Sequence, residues 1–568
     1  MTRRLPQSDS PSWRPLAFAV LLLLPGCRQR PADLVLRNAA VYTMATPDRA
    51  EAIAVRDGKI VYVGDNAGAD RLVGDSTEMI DLGGRMVLPG FRDTHVHPAS
   101  GVGLGDCHFE DLETAQAIVD SVKVCAAATP AGEWVRGRGW ALPIFPSANP
   151  DKALLDRVAP NNPVYLTAAD GHSAWVNSKA LAVAGITRDT KDPVNGRIER
   201  DPRTGEPSGT LRETATDLVE KFLPAYSLEQ RKAGLQRALA LANEFGITAV
   251  HDASAGPDML EAYEALDEEE GLTARAFVAQ YVDPEKDFSQ VDSLLAWRKR
   301  WPGRHYYHPS AAKFFADGVI ESGTAALLAP YVGTTSTGVA NFRQGQMDSL
   351  VTALDQAGIQ IHIHAIGDRG IRMSLDALAT ARRTNGDHGA RPIIAHIQLF
   401  DPADIPRFKE LGVAASFQPL WAYADTYITD LTEPVLGPER SRWLYPIQSM
   451  VKTGAMVVGG SDWTVSSLNP LDAIQVGVTR RSATDSAGPA WIPEEVTDLT
   501  AMLKAYTINA AYAGGEERLA GSLEAGKAAD LIVLDRDLYR IPATEIHRAR
   551  VLLTLLDGKS VYRSRELR

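Results

Sequence analysis

Six residues in this chain have types and settings suited to holding divalent metal ions. They are His95 and His97 in Gly-Phe-Arg-Asp-Thr-His-Val-His, Lys313 in Lys-Phe-Phe-Ala-Asp-Gly, His364 in His-Ile-His-Ala-Ile-Gly-Asp, His396 in Ile-Ile-Ala-His, and Asp462 in Gly-Gly-Ser-Asp-Trp. His95 and His97 stand two apart on an apolar run. A strand would therefore point both imidazoles the same way, roughly 6–7 Å apart along the chain. Two such rings can converge on one ion at about 2.0–2.1 Å each. Asp93 shares their face and could orient a ring from behind. In Ile361-His362-Ile363-His364 the isoleucines occupy one face and the histidines the other, so His364 serves as the ligand and His362 as support one layer deeper. His251 closes another apolar run, but nothing assigns it to the centre.

Lys313 poses a charge problem. An ammonium buried beside two dications would be strongly repelled. A lysine there makes sense if its amine, with a depressed pKa, adds carbon dioxide to become a carbamate whose two oxygens bridge two metals. The alternative is a lysine that reaches solvent or pairs with Asp317. The chemistry of the whole set is metal-assisted hydrolysis, in which a metal-bound water ionises near pH 7 and attacks a polarised carbonyl.

These residues need a scaffold that gathers them. Each closes a short run that reads as a buried parallel strand. Eight strand candidates are present: 91–97, 247–252, 272–280, 311–317, 359–364, 393–398, 413–418 and 456–462. Helical stretches such as 347–357 and 371–384 separate most of them. Strand–helix alternation over eight repeats predicts an α/β fold, a (β/α)8 TIM barrel over 91–510, with catalytic groups at the C-terminal strand ends. Residues 98–246 are too long for a loop and predict an inserted lid subdomain, with strands at 133–140 and 163–169 and a helix at 178–184. The segments 28–90 and 511–568 are strand-rich. Each holds a hairpin turning at Asp-Gly, Asp57-Gly58 and Asp557-Gly558, and together they predict one small composite β-sandwich.

Composition bounds the function. At 568 residues, 45% hydrophobic and 23% charged, the chain is an ordinary globular protein in bulk. A formal net charge of −12 argues against a nucleic-acid binder. Arg3, Arg4 and Arg14 precede the apolar run 16–24, which is shorter than the roughly 20 residues a membrane span takes. It reads as an export signal over residues 1–27. Its ending, Leu-Pro-Gly-Cys, resembles a bacterial lipobox that would place a lipid on Cys27. An outer-membrane lipoprotein facing the periplasm is the expected location, with a soluble periplasmic protein as the alternative. Cys107 and Cys125 are left as either a disulfide or two buried thiols.

The motifs together resemble the amidohydrolase superfamily, in the family-3 branch that includes N-substituted formamide deformylases. The resemblance rests on 88–97 (Leu-Pro-Gly-Phe-Arg-Asp-Thr-His-Val-His), 170–181 (Asp-Gly-His-Ser-Ala-Trp-Val-Asn-Ser-Lys-Ala-Leu), Gly-Thr-Leu-Arg-Glu (209–213), 313–318, 364–368, 459–463 and 521–531. It implies two metals, usually zinc: His95, His97 and Asp462 around one Zn2+, His364 and His396 around the other, and carboxylated Lys313 between them. It places Asp462 as the general acid/base beside a metal-bound hydroxide, and His172 over the centre as a catalytic group holding a substrate oxygen. A capped turn into the following helix is the competing role for that loop. Relatives commonly carry a histidine near Trp421, a departure here. Trp140, Trp175 and Trp421 would line the pocket for a substrate with an apolar group, or else fill the seam between lid and barrel.

The expected function is hydrolysis of a non-peptide carbon–nitrogen bond in an N-acyl or N-formyl amide. A cyclic amide, lactone or phosphotriester is the second reading, and a non-catalytic metal- or solute-binding lipoprotein the third. The expected partners are a small-molecule amide and, through Cys27, a lipid membrane; a homodimer is left open.

Overall fold

The computed structural model describes residues 1–2, 30–110 and 112–567. Residues 3–29, which hold the rest of the export segment and Cys27, lie outside them. No described helix is long and apolar enough to cross a membrane.

All eight expected barrel strands are present, in chain order around one parallel sheet: Phe91–Val96, Ile247–Ala255, Arg275–Tyr281, Tyr307–Phe315, Gln360–Ala365, Ile393–His396, Ala414–Phe417 and Met456–Gly459. The seam between the first and the eighth is closed by other means than a ladder. The Thr94 hydroxyl donates to the Gly459 carbonyl at 2.9 Å, and the Asp462 N–H donates to the His95 carbonyl at 2.7 Å. A Cβ on Gly460 would lie 2.8 Å from the His95 Cβ, so this approach requires a glycine. The closure thus presses the Asp462 loop directly onto the strand that carries the His pair.

Helices cover the barrel with apolar stripes at helical spacing. Asp368–Asn385 buries Ile371, Leu375 and Leu378, and its neighbour Gln344–Gln356 buries Met347, Leu350 and Leu354. Each such leucine contributes roughly 1.5–3 kcal/mol by leaving water.

The inserted region forms a sheet of six strands, from Gly196–Arg200 through Pro207–Glu213, Ser173–Val176, Val164–Ala168 and Val135–Trp140 to the edge pair Cys107–His108. Its helix Ser178–Ala184 starts on Asn177, whose side chain accepts the Ala180 N–H, and ends on Gly185 at φ 68°. Cys107 and Cys125 form a disulfide that ties the edge strand to the helix Ala115–Ala128. One part of the 98–246 interval lies outside this sheet. The helix Leu228–Glu244, opened by a Ser227–Gln230 capping box, packs Leu235, Ala238, Leu239 and Ala242 into the barrel core.

The two chain ends meet in a pair of facing sheets. One holds strands within 34–81; the other joins Met86–Pro89 to Leu531–Leu534 and Val551–Leu556. Leu36, Ile53, Val55, Val87, Leu531, Val533 and Leu553 fill the space between them. The two Asp-Gly turns abut: Asp57, Gly58, Asp557 and Gly558 all have positive φ, and a Cβ on Gly58 would fall 2.9 Å from the Asp557 carbonyl.

Candidate metal centre

At the C-terminal mouth of the barrel, His95, His97 and Asp462 bring one ligand atom each to within 4.8 Å of one another. The Asp462 Oδ1 lies 3.0 Å from His97 Nε2 and 3.4 Å from His95 Nε2. That buried oxygen accepts no hydrogen bond. Asp462 holds a left-handed backbone at φ 54°, which an aspartate tolerates better than most residues. Behind the centre, His95 Nδ1 stands 2.9 Å from His362 Nε2, which leaves its other nitrogen turned toward Asp462. Asp93 orients no ring, contrary to expectation. Its carboxylate accepts the backbone N–H groups of His95 at 3.0 Å and Ser461 at 3.1 Å, and so clamps the His strand to the Asp462 loop. Burial pushes Asp93 up to about 7.

Lys313 is fully buried, with Nζ 3.3 Å from His95 Nε2 and 4.6 Å from the Phe315 ring centre. It neither reaches solvent nor pairs with Asp317. The Asp317 oxygens are taken by the N–H groups of Ala326, Ile366 and Gly367, each at 2.9 Å. Burial lowers the Lys313 amine to about 7, which leaves much of it neutral near physiological pH.

His364 and His396 complete the ring of imidazoles, with centroids 4.5 Å apart, and His396 lies equally close to His95. His396 Nδ1 meets Gln418 Oε1 at 2.9 Å, and His364 Nε2 meets the Gly318 carbonyl at 3.2 Å, so each ring has one nitrogen spoken for and one free. Burial, then neighbouring positive groups, hold His95, His364 and His396 well below the ordinary histidine range. Neutral imidazole is the form that ligates. Several neutral imidazoles, a carboxylate oxygen without a donor and a buried lysine without an anion fit a divalent cation of the zinc type.

From the lid, His172 Nδ1 reaches Glu213 Oε2 at 2.8 Å, and Glu213 Oε1 accepts from the Thr324 hydroxyl at 2.7 Å. Burial opposes charge on His172, but Glu213 outweighs it and lifts the ring to about 9. The His172 ring lies 5.2 Å from that of His364, so this imidazolium overhangs the cluster. Glu213 and Gln418 were not singled out from the sequence. Glu213 was within sight as the last residue of Gly-Thr-Leu-Arg-Glu, but its partner is set by strand pairing: Ser173 opposes Arg212, which puts His172 beside Glu213.

Two cavities meet at the cluster, and both touch His172, His364, His396 and Asp462. One, of about 610 Å³, lies over His95, His97 and Lys313 beneath Asp170 and Glu213. The other, of about 450 Å³, is walled by Leu142, Val319, Ile366, Trp421, Tyr427 and Tyr445. Trp421 stacks on His396 at 5.7 Å, nearly parallel, and donates its indole N–H to Ser466 at 3.0 Å. Trp140 and Trp175 correct the expectation of an aromatic lining. Both are fully buried, 6.2 Å apart, in the core of the lid with Phe145, and neither lines a cavity at the centre. A lid this small needs its largest side chains for its own core.

Comparison with known proteins agrees with this architecture. The profile of the amidohydrolase family matches residues 78–562. The chain is 32% identical over 550 residues to protein LONG AFTER FAR-RED 3 of Arabidopsis thaliana, covering 94% of this chain and 92% of that one. It is 30% identical over 545 residues to the N-substituted formamide deformylase of Arthrobacter pascens, covering 93% and 97%. The crystal structure of an uncharacterized metal-dependent hydrolase from Pyrococcus horikoshii superposes with a TM-score of 0.71, at 24% identity over 90% of this chain and 99% of that one.

Proposed function

This chain belongs to the amidohydrolase family, and from that premise we propose that it hydrolyses a carbon–nitrogen bond other than a peptide bond, in an N-acyl or N-formyl amide. The observation that carries the proposal is the convergence of His95, His97, Lys313, His364, His396 and Asp462 from five strand ends at the mouth of the barrel. In the proposed assignment His95, His97 and Asp462 would hold one zinc ion and His364 and His396 a second, with Lys313, as its carbamate, a ligand shared by both. Ions bound there supply Lewis acidity toward a carbonyl oxygen and bring the pKa of a water near 7.

The residues do the remaining work. Asp462, whose Oδ1 has no competing donor, takes the proton of the attacking water and returns it to the leaving nitrogen. His172, held charged by Glu213, donates to the carbonyl oxygen as negative charge develops there. Trp421 covers His396 and presents an apolar face to the substrate. The relative named a formamide deformylase supports the N-formyl choice within this class.

Zinc-loaded protein incubated with N-formyl and N-acyl amines should release the free amine in step with formate or the carboxylic acid. Turnover of lactones or phosphotriesters in preference to every amide overturns the bond assignment. We further propose export and anchoring through Cys27, on the sequence of residues 1–27. Fractionation should find the protein with membranes, and a Cys27→Ser variant released from them.

A further inference from the structure

The cavity of about 450 Å³ combines aromatic rings with carboxylates on one lining. Tyr423, Tyr427 and Tyr445 supply rings, and Glu321 and Asp425 supply acids. Among the described residues that line it there are six carboxylates, Asp462 of the metal centre among them, and neither lysine nor arginine; the His172 imidazolium is the positive group on the lining. Glu321 uses one oxygen, Oε1, to accept from Gln398 at 3.0 Å and Thr432 at 2.6 Å. Asp425 uses one, Oδ1, to accept the Ile428 N–H at 2.9 Å at the start of the turn Tyr427–Thr432. The second oxygen of each has no partner among the described residues. Burial, reinforced by Glu321, pushes Asp425 up to about 6, the response of an acid that lacks a counter-charge.

A separate observation also points to a ligand. Tyr445 is 2% exposed and lines the cavity, yet its hydroxyl makes no hydrogen bond in the described structure. The side chain is enclosed while its hydroxyl opens on the cavity, where a ligand can pair with it. Free carboxylate oxygens flanked by tyrosine rings suit an alkylammonium group, which gains from ionic hydrogen bonds and from the ring faces together. A hard divalent cation asks for six to eight converging oxygens, whereas Glu321 and Asp425 leave one uncommitted oxygen each.

We propose that this wall is a subsite for an alkylammonium group, and that the substrates are amides bearing a second, protonated amine, the class of mono-acylated diamines. The substrate half of this proposal rests on the amide hydrolysis argued above; the cation subsite does not.

Two measurements separate them. Butylammonium, whose nitrogen is protonated at neutral pH and so has N–H donors but no lone pair for a metal, is titrated calorimetrically into the full metal-loaded chain and into its Glu321→Gln, Asp425→Asn and Tyr445→Phe variants. Binding to the parent should weaken at least about tenfold in each carboxamide variant, the scale of one charge-assisted contact. Tyr445→Phe deletes one oxygen from an otherwise unchanged core and should weaken binding about two- to fivefold. No binding by the parent, or equal binding by all four proteins, overturns the subsite. In parallel, kcat/KM is compared for mono-N-formyl-1,5-diaminopentane and the neutral N-formylhexylamine. A preference of about tenfold or more for the charged amide, falling toward parity in Glu321→Gln, supports the substrate class. Equal turnover of the two overturns it while leaving amide hydrolysis standing. Cation binding with neither amide cleaved, nor their N-acetyl counterparts, overturns the amide hydrolysis and leaves the subsite.

Discussion

The floor of the pocket takes its side chains from strand ends, whereas the roof offers the cavity His172 from a lid that packs its own aromatics away. On the floor three of the four ligand rings are braced from behind: His95 by His362, His396 by Gln418, His364 by the Gly318 carbonyl. On the roof Trp140, Trp175 and Phe145 pack against one another and His172 leans on Glu213. The difference is one of obligation. A strand end at a barrel mouth already has a core beneath it, so its side chain is free for chemistry. A separately cored lid spends its large residues on cohesion and has few left to offer.

That contrast is broken most directly at Asp462. Asp462→Asn should lower kcat/KM by about 10³–10⁴-fold while retaining much of the metal, because the amide keeps an oxygen donor but loses the base. Metal content and steady-state rates on one preparation decide it, and a variant retaining a tenth of the parent activity removes Asp462 from its role. For the lid, Trp140→Ala should cost about 3–5 kcal/mol in denaturant unfolding, the range for emptying a buried aromatic site. Trp421→Ala, at the cavity, should cost far less stability and act mainly on KM; the opposite pattern would exchange the roles of the two tryptophans. The Cys107–Cys125 bridge spans 18 residues, and its loss in a double serine variant should cost about 3 kcal/mol with the kinetics little changed.

Legibility in the sequence follows the same division. The barrel strands could be read because each is a short apolar run stopped by a polar or charged residue, and the fold places that stop at the mouth. The ligand candidates on the floor came with them. The boundary of the lid was harder: Ser227 and Gln230 announce a helix start, but nothing in the chain says that this helix belongs to the barrel rather than the insertion. Trp140 and Trp175 show why burial direction is lost in an inserted sheet. Alternation assigns a residue to a face, but only the packed layers say which face meets the cavity. Asp93 shows a subtler limit, since its place two residues before His95 suggested a bond to a ring and the backbone took it instead.

Glu213 offers the finest test, because its effect is expected to pass wholly through another side chain. Glu213→Gln keeps the shape and can still meet His172, but it removes the charge that holds the imidazole protonated; kcat should fall about tenfold, with KM nearly unchanged. His172→Gln should fall further, and the double variant should be no slower than His172→Gln alone. That equality is the signature of one residue acting through the other. Glu213 also accepts the Thr324 hydroxyl, which fixes the loop following the fourth barrel strand. If Glu213→Gln slows the enzyme again when His172 is already gone, the carboxylate works through Thr324, and the roof braces the floor through its scaffold rather than through an imidazolium.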